Sequence, residues 1–193
     1  FLIMMCWSGT GLAQDVSVAW LKVEQDLPPT LSNLDPVPED LGLAGALTAL
    51  KDNETTGKFL GQNWSLSEHT AYLGDDPLET ARAAFTDAPY LIVDAPAETL
   101  LAIADLPDAE GKLIFNTGSG APELRGDACR ANVLHTLPST AMRTDALAQM
   151  FVKKRWDDLV MIAGGHPQDQ TYAAAMEASL AKFGLSLTAR KEW

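Results

Sequence analysis

The sequence is short of cysteine, histidine and positive charge, and each shortage closes off a class of function. Its 193 residues include two cysteines, Cys6 and Cys129, and three histidines, His69, His135 and His166. The histidines lie far apart with no metal-ligand spacing, so each reads as a surface or loop residue and no metal site is expected. Lys and Arg number 14 against 26 Asp and Glu, a net charge of −12. Nucleic acid or an anionic membrane surface would call for a basic face instead. No GxSxG elbow or P-loop is present, and no catalytic base stands out, so an enzyme has little to rest on. Gly118-Ser119-Gly120 follows an apolar run, as a dinucleotide fingerprint would. The third glycine is replaced by Glu123, however, and Pro122 sits inside the turn, so no nicotinamide or flavin cofactor is expected.

The N-terminal apolar run, Phe1 to Trp7, is too short to span a bilayer. Small residues follow it, with Gly11 and Ala13 at the positions a signal peptidase reads. Residues 1–14 are therefore expected to be the remnant of a secretory signal, cleaved near Ala13 or Gln14. Cys6 lacks the context of a lipoprotein signal. Cys129 then stands alone, with no disulfide partner, and reads as a small buried apolar residue.

What remains alternates between strand and helix. Val16 to Val23 reads as a strand, and the four prolines between Glu24 and Pro38 mark a long loop. Leu43, Leu47 and Leu50 give helical spacing to Glu39–Asp52, which Asn53 to Gly57 is expected to break or end. Trp64 to Leu73 reads as a second strand. Asp76-Pro77-Leu78-Glu79 supplies an N-cap, Pro at N1 and Glu at N3 for a helix to about Asp87. Strands at Tyr90–Val93, Leu113–Phe115, Ala131–Leu134 and Leu159–Ala163 alternate with helices at about 96–105, 141–156 and 168–183. Gly184 ends the last helix, and a strand begins at Leu185 to Thr188. The pattern implies an α/β fold of three layers, a Rossmann-like parallel sheet with helices on both faces.

Several of these strands end in small polar residues. Asp94, Ala95 and Pro96 follow one strand; Asn116, Thr117, Gly118 and Ser119 follow the next; Thr136 follows a third. Ligands of open α/β sheets sit outside such carboxyl ends. Helix N-termini at Pro96 and Ser139 add free N–H groups suited to an anion. Trp20, near the end of the first strand, is placed to stack on a planar ligand.

Three stretches, Leu91–Asp105, Lys112–Gly120 and Val133–Gly164, resemble type I periplasmic solute-binding proteins, the leucine-binding class that serves ABC importers. The likeness runs from about Val16 to Thr188. It implies a ligand-binding lobe over 15–137, a crossover at Pro138-Ser139, and over 138–193 the beginning of a second lobe whose remainder lies beyond Trp193. It also implies a periplasmic, monomeric protein, not inserted in the membrane, that hands a small molecule to a membrane ABC permease. Gly165 to Asp169 replaces the Asp-Tyr-Gly-like turn usual in the class, and Gln168 is the second-lobe candidate for ligand contact.

A narrower likeness, to the subgroup found with PQQ-dependent alcohol dehydrogenase systems, rests on Leu31–Asp35, Asp40–Ala46, Asp52–Gly57 and Arg125–Asn132. It implies pyrroloquinoline quinone or a related compound as the transported ligand. Trp20 would be the wall for its flat rings, and Lys22 or Arg125 would join the helix N-termini as anion donors. The alternatives are an amino-acid or amide receptor of the same class, and a sensor domain without a transporter.

Overall fold

The computed structural model describes residues 14–26 and 37–193. The expected signal remnant up to residue 13, Cys6, and the Leu31–Asp35 stretch lie outside them.

Five strands, β1 (Gln14–Val23), β2 (Gln62–Ala71), β3 (Tyr90–Asp94), β4 (Leu113–Asn116) and β5 (Val133–His135), form one parallel sheet in the order β2-β1-β3-β4-β5. Side chains alternate across it, and in-register pairing keeps partners on one side. Ala19, Leu21, Leu91, Val93 and Ile114 share one face. Phe85 of α2 (Pro77–Asp87) and Leu100 and Ile103 of α3 (Ala97–Ala104) cluster with them, almost wholly buried. Burial of side chains of this size stabilises by about 1.5–3 kcal/mol each. On the opposite face, α1 (Leu43–Leu60) lies against β2. There Val16, Val18, Trp64, Ile92 and Phe115 line an apolar hollow of about 510 Å³.

Helix α2 starts where its capping residues place it: Asp76 Oδ1 accepts from the Leu78 N–H at 2.9 Å, with Pro77 at the first position. Helix α1 departs from expectation by running straight through Asn53–Gly57. Asn53 and Thr55 bond back to the carbonyls of Ala49 and Lys51, at 2.9 and 3.0 Å, within their own helix. The helix ends only at Gly61, which takes a left-handed φ of 69°.

A second, two-stranded parallel sheet joins β6 (Leu159–Ala163) and β7 (Leu187–Glu192). Helices α4 (Thr140–Lys154) and α5 (Pro167–Lys182) pack together beside it around Ala148, Met176 and Leu180. Thr144 and Ser179 hydrogen-bond to each other between these helices at 2.8 Å. The last strand begins two residues later than expected and runs further. Leu185 is held back at the end of α5, where its N–H donates to the Leu180 carbonyl at 2.8 Å and its side chain joins the small core.

Two single-residue expectations are corrected. Cys129 is exposed rather than buried, in the turn that follows a short 3-10 helix, η2 (Pro122–Arg125). His135 is half-buried on β5, not in a loop, and both its ring nitrogens are hydrogen-bonded.

Candidate functional site

The strand order reverses between β1 and β3. The chain moves outward from β1 to β2, then crosses back to β3 on the other side. In open α/β sheets that reversal opens a crevice at the carboxyl ends of the two strands. Lys22 of β1 and Asp94 of β3 are in register there, side by side. Burial pushes the Asp94 carboxyl above its ordinary pKa, and the Lys22 ammonium opposes the shift only in part. The two residues line a recess of about 420 Å³ with Glu24, Gln25, Val37 and Leu41. A neighbouring recess shares Lys22, Glu24 and Leu41 and adds Glu39, Glu68 and Tyr72.

The loops after β3 and β4 interlock beside this crevice. A Cβ at Gly118 would lie 2.4 Å from Asp94 Oδ1 and 2.6 Å from the Ala95 nitrogen, so only glycine fits. On its other side the same loop is tied to the start of α4, where the Thr140 N–H donates to the Gly120 carbonyl at 2.7 Å. Asp94, Ala95 and Gly118 are thus brought together. Thr117 and Thr136 donate their hydroxyl protons inward, to the carbonyls of Val93 at 2.9 Å and Asn116 at 3.0 Å. Their remaining lone pairs make them acceptors for a ligand. Donors are available at α3, where Pro96 is the N-cap and no side chain caps the helix. The first-turn N–H groups of Ala97, Glu98 and Thr99 lack helical acceptors, as at any helix start. By contrast, Ser139 caps α4 and His166 caps α5.

Other expected site residues take different positions. Asn116 is fully buried and shapes its loop from within. Trp20 is only 4% exposed. The outer edge of its ring lies against Gly42, the residue before α1, where a Cβ would come within 2.7 Å of it, and the residue also borders a recess. Arg125 donates to the Leu137 carbonyl and lies by His135, away from the crevice. Gln168 is exposed on the second sheet's side, at the first turn of α5. Thr117 and Thr136 border the large apolar hollow rather than the recess at Asp94. That hollow is the larger space and its walls are mostly aliphatic and aromatic, whereas the crevice carries the charged side chains. Glu24 and Glu39 were not singled out by sequence, because nothing in the pattern of either segment shows which side chains border the crevice. Among the described residues no cluster of His, Cys, Asp and Glu could hold a metal ion, and no helix is long and apolar enough to cross a membrane.

No family model and no curated protein matches the chain. Solved structures do. A branched-chain amino acid ABC transporter periplasmic ligand-binding protein from Burkholderia xenovorans superposes with a TM-score of 0.69 at 18% identity, over 92% of this chain and 46% of that one. The fold is that of a type I periplasmic binding protein. An ABC transporter substrate-binding protein from Desulfitobacterium hafniense, in complex with Leu, matches with a TM-score of 0.63 at 21% identity, over 93% of this chain and 50% of that one. The leucine-, isoleucine-, valine-, threonine- and alanine-binding protein from Brucella ovis, in its closed conformation, matches with a TM-score of 0.66 at 16% identity, over 94% and 47%. The chain spans about half the length of these type I periplasmic binding proteins. At such identities the likeness is one of architecture.

Proposed function

We propose that this chain is the ligand-capturing part of an extracytoplasmic substrate-binding protein of an ABC importer, and that its ligand is an α-amino acid. The observation that carries the proposal is the half-buried Lys22–Asp94 pair at the switch point, beside the uncapped start of α3. A zwitterion complements that pattern. Its ammonium group meets Asp94. Its carboxylate meets the α3 N–H groups and Lys22. A second lobe closing over the crevice would exclude water and present the loaded form to a membrane permease. The amino-acid ligands named for the fold relatives support the same choice.

Pyrroloquinoline quinone fits less well. Its three carboxylates would face a rim holding Glu24, Glu39, Glu68 and Asp94, and the indole expected to stack on its rings is almost wholly buried.

Calorimetric titration of the full-length protein with L-leucine, related amino acids and the quinone tests the proposal. The expected result is binding of an amino acid with micromolar or tighter affinity, weakened about tenfold or more (roughly 1.4 kcal/mol) by Asp94→Asn. Heat from the quinone alone would overturn the ligand assignment.

A further inference from the structure

Asn116 has no hydrogen-bonding capacity to spare. Its Oδ1 accepts from the N–H groups of Gly118 and Ser119, at 3.2 and 2.9 Å. Its Nδ2 donates to the Ser119 carbonyl at 2.7 Å and faces His135 Nδ1 at 3.0 Å. Two backbone N–H groups on Oδ1 fix which end of the amide is oxygen, so Nδ2 is a donor toward His135. His135 Nδ1 must accept, and the ring proton belongs on Nε2, where it is donated to the Leu124 carbonyl at 3.2 Å. This is the neutral imidazole with both nitrogens assigned. A second proton, on Nδ1, would point at the Asn116 amide hydrogens. Turning the amide over to receive it would set its NH2 against the Gly118 and Ser119 N–H groups. No single rotation satisfies both sides.

We infer that His135 is a positioning residue: as a neutral imidazole it holds Asn116, and through it the Thr117–Gly120 loop, in the form that receives ligand, and protonation releases that loop. The inference rests on the reading of this loop as part of the ligand site. Arg125 of η2 is the charged group acting on the ring among the described residues; the facing groups on β4 and at Leu124 are an amide and a carbonyl. Burial first and Arg125 second hold the His135 pKa below its ordinary value of 6.5, against a smaller opposing effect of the Leu124 carbonyl. The loop therefore stays fastened at neutral pH and loosens in acid.

The test is a pH titration of the full-length protein by NMR, following the His135 ring and the Gly118 and Ser119 amides without ligand. Both amide resonances should shift, and their hydrogen exchange should accelerate, with the midpoint of the ring. Amides indifferent to that midpoint overturn the inference whatever the ligand is. Calorimetry with L-leucine over the same range should show affinity falling by up to about tenfold per pH unit below the midpoint. His135→Asn offers an acceptor near the Nδ1 position and cannot be protonated there, so it should bind at neutral pH and flatten the profile. A variant that binds and keeps the wild-type profile also overturns the inference. Amides that follow the ring in a protein that binds no amino acid at any pH leave His135 as the holder of the loop and overturn the ligand reading instead.

Discussion

A carboxylate that burial disfavours more than its neighbouring lysine favours is a local cost to the free protein. Asp94 is in that position. With its folded pKa raised above the ordinary 3.8, its contribution to stability is greatest in acid and is lost as pH rises through the folded value. At neutral pH the free protein holds an underpaired charge, which the ammonium group of a bound amino acid would neutralise. Asp94→Asn should therefore raise the thermal midpoint at pH 7 while weakening amino-acid binding, the opposition expected of binding-site residues. Scanning calorimetry of the wild type and the variant, each without ligand, checks the first half. A variant less stable than wild type at pH 7 would show that the Lys22 pairing outweighs burial. His135 has the opposite sense: its lowered pKa gives stability that is present above the ordinary value and lost as pH falls through the folded one. Of these residues Asp94 was legible in the sequence, because a polar residue closing an apolar strand in an α/β pattern announces itself. The Asn116–His135 contact was not. It depends on which face a three-residue strand presents and on a register of Asn116 against His135 that only the assembled sheet sets.

At the scale of elements, α1 and β2 show how packing overrules local preference. Asn-Glu-Thr-Thr-Gly is a poor helical sequence by propensity, yet it lies well inside an 18-residue helix. Gly57 is the reason α1 can lie so near β2. A Cβ there would come within 2.8 Å of the Gln62 carbonyl and 3.1 Å of Trp64 Cδ1. Gly57→Ala gains about 1 kcal/mol of helix propensity but forces the helix off the strand, a strain of about 1–3 kcal/mol. Because the obstacle is a backbone carbonyl, strain should win. Denaturant unfolding should show a net loss of stability, and a gain would mean that the helix can shift at no cost. Helix α2 is the contrasting case. Its start was readable because Asp76 and Pro77 act within one turn of themselves, whereas α1 runs through a poor helical stretch until Gly61 caps it in a left-handed conformation. Local signals therefore placed most strands and helices; what they did not show is that α1 would persist through Asn53–Gly57, packed on β2.

At the scale of the whole molecule, the β4–η2 loop is clasped on two sides, by Asp94-Ala95 at Gly118 and by the start of α4 at Gly120. The same loop thus joins the crevice to the start of α4, where the chain passes toward the second sheet. The apolar hollow has a practical consequence of another kind. Val16, Val18, Trp64, Ile92 and Phe115 form a greasy trough, and among the described residues nothing fills it. Environment-sensitive dyes that brighten on apolar surfaces should therefore glow on the folded 193-residue chain before any heating, and a short-chain detergent should quench that signal by competing for the trough. Dye-based melting screens for ligands would start from a high baseline and read poorly. Label-free melting, followed by light scattering or tryptophan emission, is the assay this surface favours.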